Sequence, residues 1–292
     1  MSRSPIGAVI LGLFLISVLP ARSAIVVVES LDWVIADSDL VVYGKLVENK
    51  RVRDKQKIIW STVTVEVIDT LKGDKPEKLQ FIVAHDSEPP SDRVAELVDQ
   101  KTETLICLVK SERYKSKGED YATVPWALRQ SQLQIDHTLI DLSDKSGALV
   151  VPMDARLLNR KDDILKAAKA AGSASPAGGK LPTQARFRAP ASSEPVRKLA
   201  AGDAVWIFAP LTPRLEEQGK EWLKTKEIDY RTEGVRLLRS FKSEANETLL
   251  KDLLKDSQTI SDGKVKRYPV RQAAYEVLRE WKVDVPRPVL EE

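Results

Sequence analysis

Eleven residues near the C-terminus recur forty positions later, and this offset constrains the fold more than any other feature of the chain. Arg231-Thr-Glu-Gly-Val-Arg-Leu-Leu-Arg-Ser-Phe241 aligns with Arg271-Gln-Ala-Ala-Tyr-Glu-Val-Leu-Arg-Glu-Trp281. Arg231 matches Arg271, Gly234 matches Ala274, Leu238 matches Leu278, Arg239 matches Arg279, and Phe241 matches Trp281. Small, leucine and aromatic positions held in register describe helices stacked on their neighbours, because one such unit cannot bury its apolar face alone.

The surrounding periodicity agrees. From Pro213 onward the apolar spacing is helical, with helices expected over Leu215–Leu223, Asp229–Phe241, Glu244–Lys255 and Pro269–Trp281. Leu249, Leu250, Leu253 and Leu254 give the third of these a stripe at i, i+3 and i+4. Pro269 suits a helix start, and Pro286 and Pro288 prevent a further helix. Leu253-Leu-Lys-Asp256 followed by Val270-Arg271-x-Ala273-Ala274-x-x-x-Leu278 resembles the junction of a HEAT repeat. That resemblance spans residues 213–283 and implies that Asp256 and Arg271 tie neighbouring turns together. The Gln258–Tyr268 loop is longer and more polar than a compact repeat needs. Four helices are too few for an independent array, so one apolar face should dock on the rest of the chain. Leu215, Trp222 and Leu223 are expected against Phe208.

The N-terminal half alternates with a period of two. In Ser61–Asp69, Val63, Val65 and Val67 point one way while Thr62, Thr64 and Glu66 point the other, as in a half-buried strand. Further strands are expected at Asp39–Val47, Lys78–Ala84, Thr104–Lys110 and Tyr121–Pro125, with a tight hairpin over Gln132–Leu142. Short strands at this spacing argue for a barrel or small sandwich. Gly44, the Val63-x-Val65-x-Val67 alternation and Leu71-Lys-Gly73 resemble the netrin-like, OB-type barrels of exported proteins, over residues 30–142. Animal members that inhibit metalloproteinases use an N-terminal cysteine; this chain has none there, so that mechanism does not carry over. Downstream, a short helix is expected over Arg160–Ala171, a flexible loop near 172–182, and a helix over Glu194–Ala200. Ala204–Ala209 reads as a buried strand that needs a sheet to join.

Residues 1–23 read as a secretory signal. Arg3 precedes an uncharged apolar run from Ile6 to Leu19, and Ala21, Ser23 and Ala24 offer small residues for cleavage after Ser23 or Ala24. The run is shorter than the roughly 20 residues of a membrane span, so no stable span is expected after cleavage. Taking away Arg3 and Arg22 leaves 44 basic residues against 43 acidic, a balance that excludes a general nucleic-acid binder. Cys107 is the only cysteine, so no intrachain disulfide forms. An exported bacterial protein of the periplasm, cell envelope or extracellular space is the expected setting. The order of the Trp33–Gly44 segment, the linking strand and the helical tail also resembles uncharacterised exported bacterial proteins.

Catalytic signals are scarce. His85-Asp86 and Asp136-His137 could meet across a barrel as a metal site, but both read as exposed turn residues. There is no Gly-x-Ser-x-Gly elbow, and Gly178-Gly179-Lys180 lacks the strand and hydroxyl of a phosphate loop. Asp162-Asp163 and Glu216-Glu217 fall on polar helix positions. Arg51, Arg53, Lys55, Lys57 and Lys264, Lys266, Arg267 form interrupted basic clusters that read as solvated loops. Asn246-Glu-Thr248 matches a glycosylation acceptor but sits where polar capping is ordinary.

The sequence therefore predicts an α+β protein: an antiparallel β-barrel or small sandwich over residues 24–212, then a short α-helical HEAT-like array over 213–292. The expected function is non-catalytic binding or scaffolding, with protein as the partner class and glycan as the second, and no cofactor or metal. The alternative is an envelope hydrolase with a spatially assembled carboxylate and histidine site. Arg231, Leu238, Phe241, Asp256, Arg271, Leu278 and Trp281 are expected to be structural positions of the repeat.

Overall fold

The computed structural model describes residues 26–53, 59–85, 93–117, 124–130, 138–143, 150–174, 183–199 and 204–292. The signal-like segment, the Gly178-Gly179-Lys180 run and the first strand of the expected Gln132–Leu142 hairpin lie outside the described residues.

The chain enters through β1 (Val26–Glu29) and a short helix α1 (Leu31–Ala36). Ser30 separates them, and its hydroxyl accepts the Trp33 N–H as an N-cap. Two long strands follow, β2 (Leu40–Arg53) and β3 (Ile59–Lys72), then β4 (Leu79–His85), α2 (Arg93–Asp99) and β5 (Glu103–Lys110). A 3-10 turn over Ser111–Lys117 leads towards the short strands β6 (Trp126–Leu128) and β7 (Leu139–Asp141). β2 pairs with β3 on one edge and β5 on the other, β3 pairs with β4, β4 runs parallel to β6, and β6 returns antiparallel to β5. The circuit β2-β3-β4-β6-β5 closes into a five-stranded barrel, with β7 beside β6 on the same edge of β5.

Closure requires strands that bend. The β2–β3 register shifts at Val41/Val42, Tyr43/Gly44 and Leu46/Glu48, and such bulges coil a strand locally. Gly44 is needed at the second shift, because a Cβ there would lie 2.5 Å from the Glu66 carbonyl oxygen. Period-two alternation then sorts the side chains. Leu40, Val42, Val63, Phe81, Ile106 and Leu108 fill the interior, joined by Val94 and Leu97 of α2. Val41, Tyr43, Leu105 and Cys107 point outward and pack against α1 and a second helix layer, α3 (Lys161–Ala174).

The strand at Ala204–Ala209 finds its sheet elsewhere. β8 (Gln184–Arg188), α4 (Glu194–Leu199) and β9 (Val205–Pro210) follow α3, and β9 pairs antiparallel with β8 and parallel with β1. The second sheet is thus β1-β9-β8, built from the first strand among the described residues and from β9 and β8. Four helices complete the chain: α5 (Pro213–Leu223), α6 (Ile228–Leu238), α7 (Glu244–Leu253) and α8 (Pro269–Glu280). The long Gln258–Tyr268 loop contains a hairpin, β10 (Ile260–Asp262) and β11 (Val265–Arg267). The chain's last residues lie along it, with backbone bonds in both directions between Lys266 and Glu292 (2.8 and 2.9 Å).

The helices share a core with the second sheet. Leu215, Trp222 and Leu237 pack with Val28, Phe187, Ile207 and Ala209, and Trp222 meets Phe187 and Tyr230 edge-on at 5.7 and 5.8 Å. The expected anchor Phe208 is corrected to its neighbours, because alternation along β9 turns Ile207 and Ala209 to the helices. Trp206 and Phe208 face the other side, under the Arg186 guanidinium at 4.5 and 5.9 Å. Leu223 is corrected too: it packs instead with Val235, Leu238, Leu250, Val270 and Leu278 in the core of α6, α7 and α8. Helices α5 and α6 approach closely through Gly219 and Gly234, where a Cβ on Gly234 would fall 2.8 Å from the Gly219 carbonyl oxygen. No helix among the described residues is long and apolar enough to cross a membrane.

Candidate functional site

The segment from Val150 to Leu158 is a closed turn. Its ends exchange backbone hydrogen bonds (Val150 N to Leu158 O, 2.9 Å; the reverse, 2.8 Å). Inside it, Ala155 is fully buried and adopts a φ of 58°, a left-handed conformation that a Cβ-bearing residue rarely takes. Asp154 organises the turn, its carboxylate accepting the Arg156 N–H at 3.1 Å and the Arg156 Nε–H at 2.7 Å.

Asp32, in the first turn of α1, joins this turn to the helical region. It is only 4% exposed. One carboxylate oxygen accepts the Met153 N–H at 2.8 Å, and the other accepts Arg214 Nη1 at 2.9 Å, from the start of α5. Burial pushes the Asp32 carboxyl upward from the usual range, opposed by the Met153 N–H and by Arg214. A buried carboxylate thus holds a guanidinium that is itself partly exposed.

Beside Arg214 opens a cleft of about 290 Å³, between the Val150–Leu158 turn, α3 and the first turns of α5. Pro152, Met153, Leu158 and Ala167 make its apolar wall, and Arg156, Lys166 and Arg214 bring cationic groups to it. Asp154 and Asp163 also line it, Asp154 bound to Arg156 and Asp163 near Arg160 at 3.7 Å. Each arginine in the lining is pinned through one N–H by an aspartate, which leaves the other donors of its planar fork for a ligand.

Other buried ionic groups are tied to one another. The Arg129 guanidinium, 3% exposed, binds both Glu29 oxygens (3.1 and 2.8 Å) and donates through Nε to Asp37 at 2.6 Å. This joins β1, α1 and the segment after β6. Lys72 donates to the Ile35 and Ala36 carbonyls, both at 2.9 Å, and so closes the C-terminus of α1. Burial holds its ammonium below the ordinary lysine range. Glu103 accepts from Lys161 and from the Tyr43 hydroxyl, and those two bonds hold its carboxyl below the usual range.

The residues expected to be structural in the helical region make the following contacts. Arg231 pairs with the Asp256 carboxylate, Arg271 Nε donates to the Asp256 carbonyl, and the Arg271 guanidinium stacks on Tyr268 at 3.7 Å. Leu238 and Leu278 are fully buried in the core of α6, α7 and α8. Phe241 and Trp281 both fall just beyond their helices, and the Trp281 indole N–H reaches the Arg239 carbonyl at 2.9 Å. Asn246 is fully buried, its amide donating to the Glu216 carboxylate (2.9 Å) and the Phe241 carbonyl (2.6 Å), so it is closed to glycosylation. Arg267 pairs with Glu291 at 3.4 Å.

Of the groups considered for chemistry, Cys107 is fully buried, and burial pushes its thiol up to about 12. His85 closes β4, paired in register with Ile59, whereas His137 lies outside the described residues. No group of three or more His, Cys, Asp or Glu among the described residues could hold a metal ion. The sequence reading did not reach Asp32, Arg156, Lys166 and Arg214. They stand up to 182 positions apart with no shared motif, and only the fold brings them to one cleft. The chain matches no protein-family model, and it has no significant match among curated proteins or solved structures.

Proposed function

We propose that this protein is an exported, non-catalytic binding or scaffold protein of the cell envelope or extracellular space, with protein as its partner class and glycan as the second. On this reading the barrel is an OB-like, netrin-like unit, and α5 to α8 are a short HEAT-like array that caps the second sheet. The observation that carries the reading is the division of labour among charged groups. Buried ions such as Glu29 and Arg129 are paired with one another, whereas the cleft presents Arg156, Lys166 and Arg214 outward. Groups pinned on one side and open on the other are suited to recognition. The hydrolase alternative would need a deep cleft holding His85 or His137 beside carboxylates.

The test uses the whole chain from residue 24, immobilised and exposed to envelope extract, beside a Lys166→Glu/Arg156→Gln variant. Both substituted side chains are exposed, so the fold is retained. A saturable component that the wild type retains and the variant loses is the expected result. Identical retention by both, or turnover of a retained glycan or peptide, would overturn the reading. Deleting the tail is a poor control, since it would strip Phe187 and Ile207 of Leu215 and Trp222.

A further inference from the structure

Three features of the cleft restrict what it can hold. The first is donor geometry. Arg214 spends Nη1 on the buried Asp32 behind the cleft, and Arg156 spends Nε on Asp154, which itself lines the cleft, so one N–H of each guanidinium fork is already engaged. Forks of this kind match a planar carboxylate, with bonds stronger than neutral ones. The second is charge. Arg156, Lys166 and Arg214 face Asp154 and Asp163 in the lining, a surplus of one positive charge. Counting Asp32 behind Arg214 and Arg160 beside Asp163 adds one charge of each sign and leaves that surplus unchanged. A single anion balances it, whereas a pyrophosphate would remain strongly uncompensated. The third is shape. The volume of about 290 Å³ is at the low end for ligand pockets, and Pro152, Met153, Leu158 and Ala167 form an apolar wall beside the cations.

Resting on the binding reading above, we infer that this cleft is a receptor for one carboxylate on a short aliphatic stem. The carboxylate lies against Arg214 and Lys166, and the stem lies on the Pro152–Met153 wall. The strained turn supports this role. Ala155 holds a left-handed backbone while fully buried, and that turn sets both the Met153 N–H on Asp32 and the Asp154 grip on Arg156. Two sources can supply such a group, a free small carboxylic acid or the C-terminal end of a peptide, and the chemistry recognised is the same.

The experiment is isothermal titration of the full chain from residue 24 with N-acetylvaline, N-acetylvalinamide, an acetylated tripeptide ending in a free valine carboxylate, and pyrophosphate. The acid is expected to bind saturably, and the amide at least ~10-fold more weakly, the cost of one charge-assisted bond. Lys166→Glu should weaken the acid by a similar factor with an unchanged urea midpoint. Arg214→Lys, which retains an ammonium for Asp32 but loses the fork, should weaken it too. Tighter binding of the tripeptide than of the free acid assigns the peptide source, and the reverse assigns the small acid; either supports the inference. Equal binding of acid and amide, tighter binding of pyrophosphate, or no heat from either carboxylate at millimolar concentration overturns it. If envelope retention still depends on Arg156 and Lys166 in that case, the binding role stands and only the carboxylate assignment falls.

Discussion

Replacing Arg129 with methionine is the most informative single change outside the cleft. The native guanidinium makes three bonds within 3.1 Å, two to Glu29 and one to Asp37, and is 3% exposed. Methionine fills much of the volume but removes the two guanidinium bonds to the fully buried Glu29 carboxylate. Removing one member of a buried pair costs about 3–5 kcal/mol, because the remaining ion stays desolvated. Asp37 suffers less, since Arg113 still reaches it at 3.3 Å. For a chain of this size the loss corresponds to a fall in Tm of about 6–10 °C. Urea unfolding followed by far-UV circular dichroism measures it. The double variant Glu29→Gln/Arg129→Met should recover most of the loss, because both charges are then gone. A single variant within about 1 kcal/mol of wild type, or a double variant as unstable as the single, would refute the reasoning that desolvation governs this pair.

Four further outcomes are expected. Trp222→Ala removes the edge-on partner of Phe187 and Tyr230 and should cost about 3–5 kcal/mol in urea unfolding; residues 213–292 expressed alone should not unfold cooperatively, because Leu215, Trp222 and Leu237 would lose their sheet. Cys107, with its thiol pushed up to about 12 and fully buried, should react with a thiol reagent only at the rate of unfolding; rapid labelling of the native protein would contradict its placement. Glu103 has a depressed folded-state pKa, caused by its bonds from Lys161 and Tyr43, so its stabilisation is present above the ordinary carboxyl value of 4.5 and is lost as pH falls through the folded value. The stability gap between wild type and Glu103→Gln should therefore close in acid, and a gap independent of pH would count against the assignment.

Much of the architecture was legible from local pattern. The alternation in Val63-x-Val65 placed β3 with its apolar side inward, because a strand's side-chain period is two wherever one face is buried. Helices α6 and α8 fall where Arg231 and Arg271 recur, and Leu238 and Leu278 are buried in one core. The helix ends were less legible. Periodicity extends α6 to Phe241, yet the helix stops at Leu238 and Phe241 packs from beyond it. Short elements such as α1 carried too few residues for a period to show, although Ser30 and Asp32 are ordinary helix-start residues.

Local sequence thus determined which segments alternate, which wind, and which faces are apolar, since these depend on neighbours within a turn or two. It also led to the expectation that the helical tail docks on a partner surface. Only the tertiary structure decided what that partner is, because β9 could pair with any exposed edge, and it pairs with β1, some 180 positions earlier. The same holds for the cleft. Asp32, Met153 and Arg214 meet because β1 and β9 lie side by side and so bring the starts of α1 and α5 together. A contact set by chain closure over such distances has no local period to announce it, and the residues that make it look ordinary until the sheet is formed.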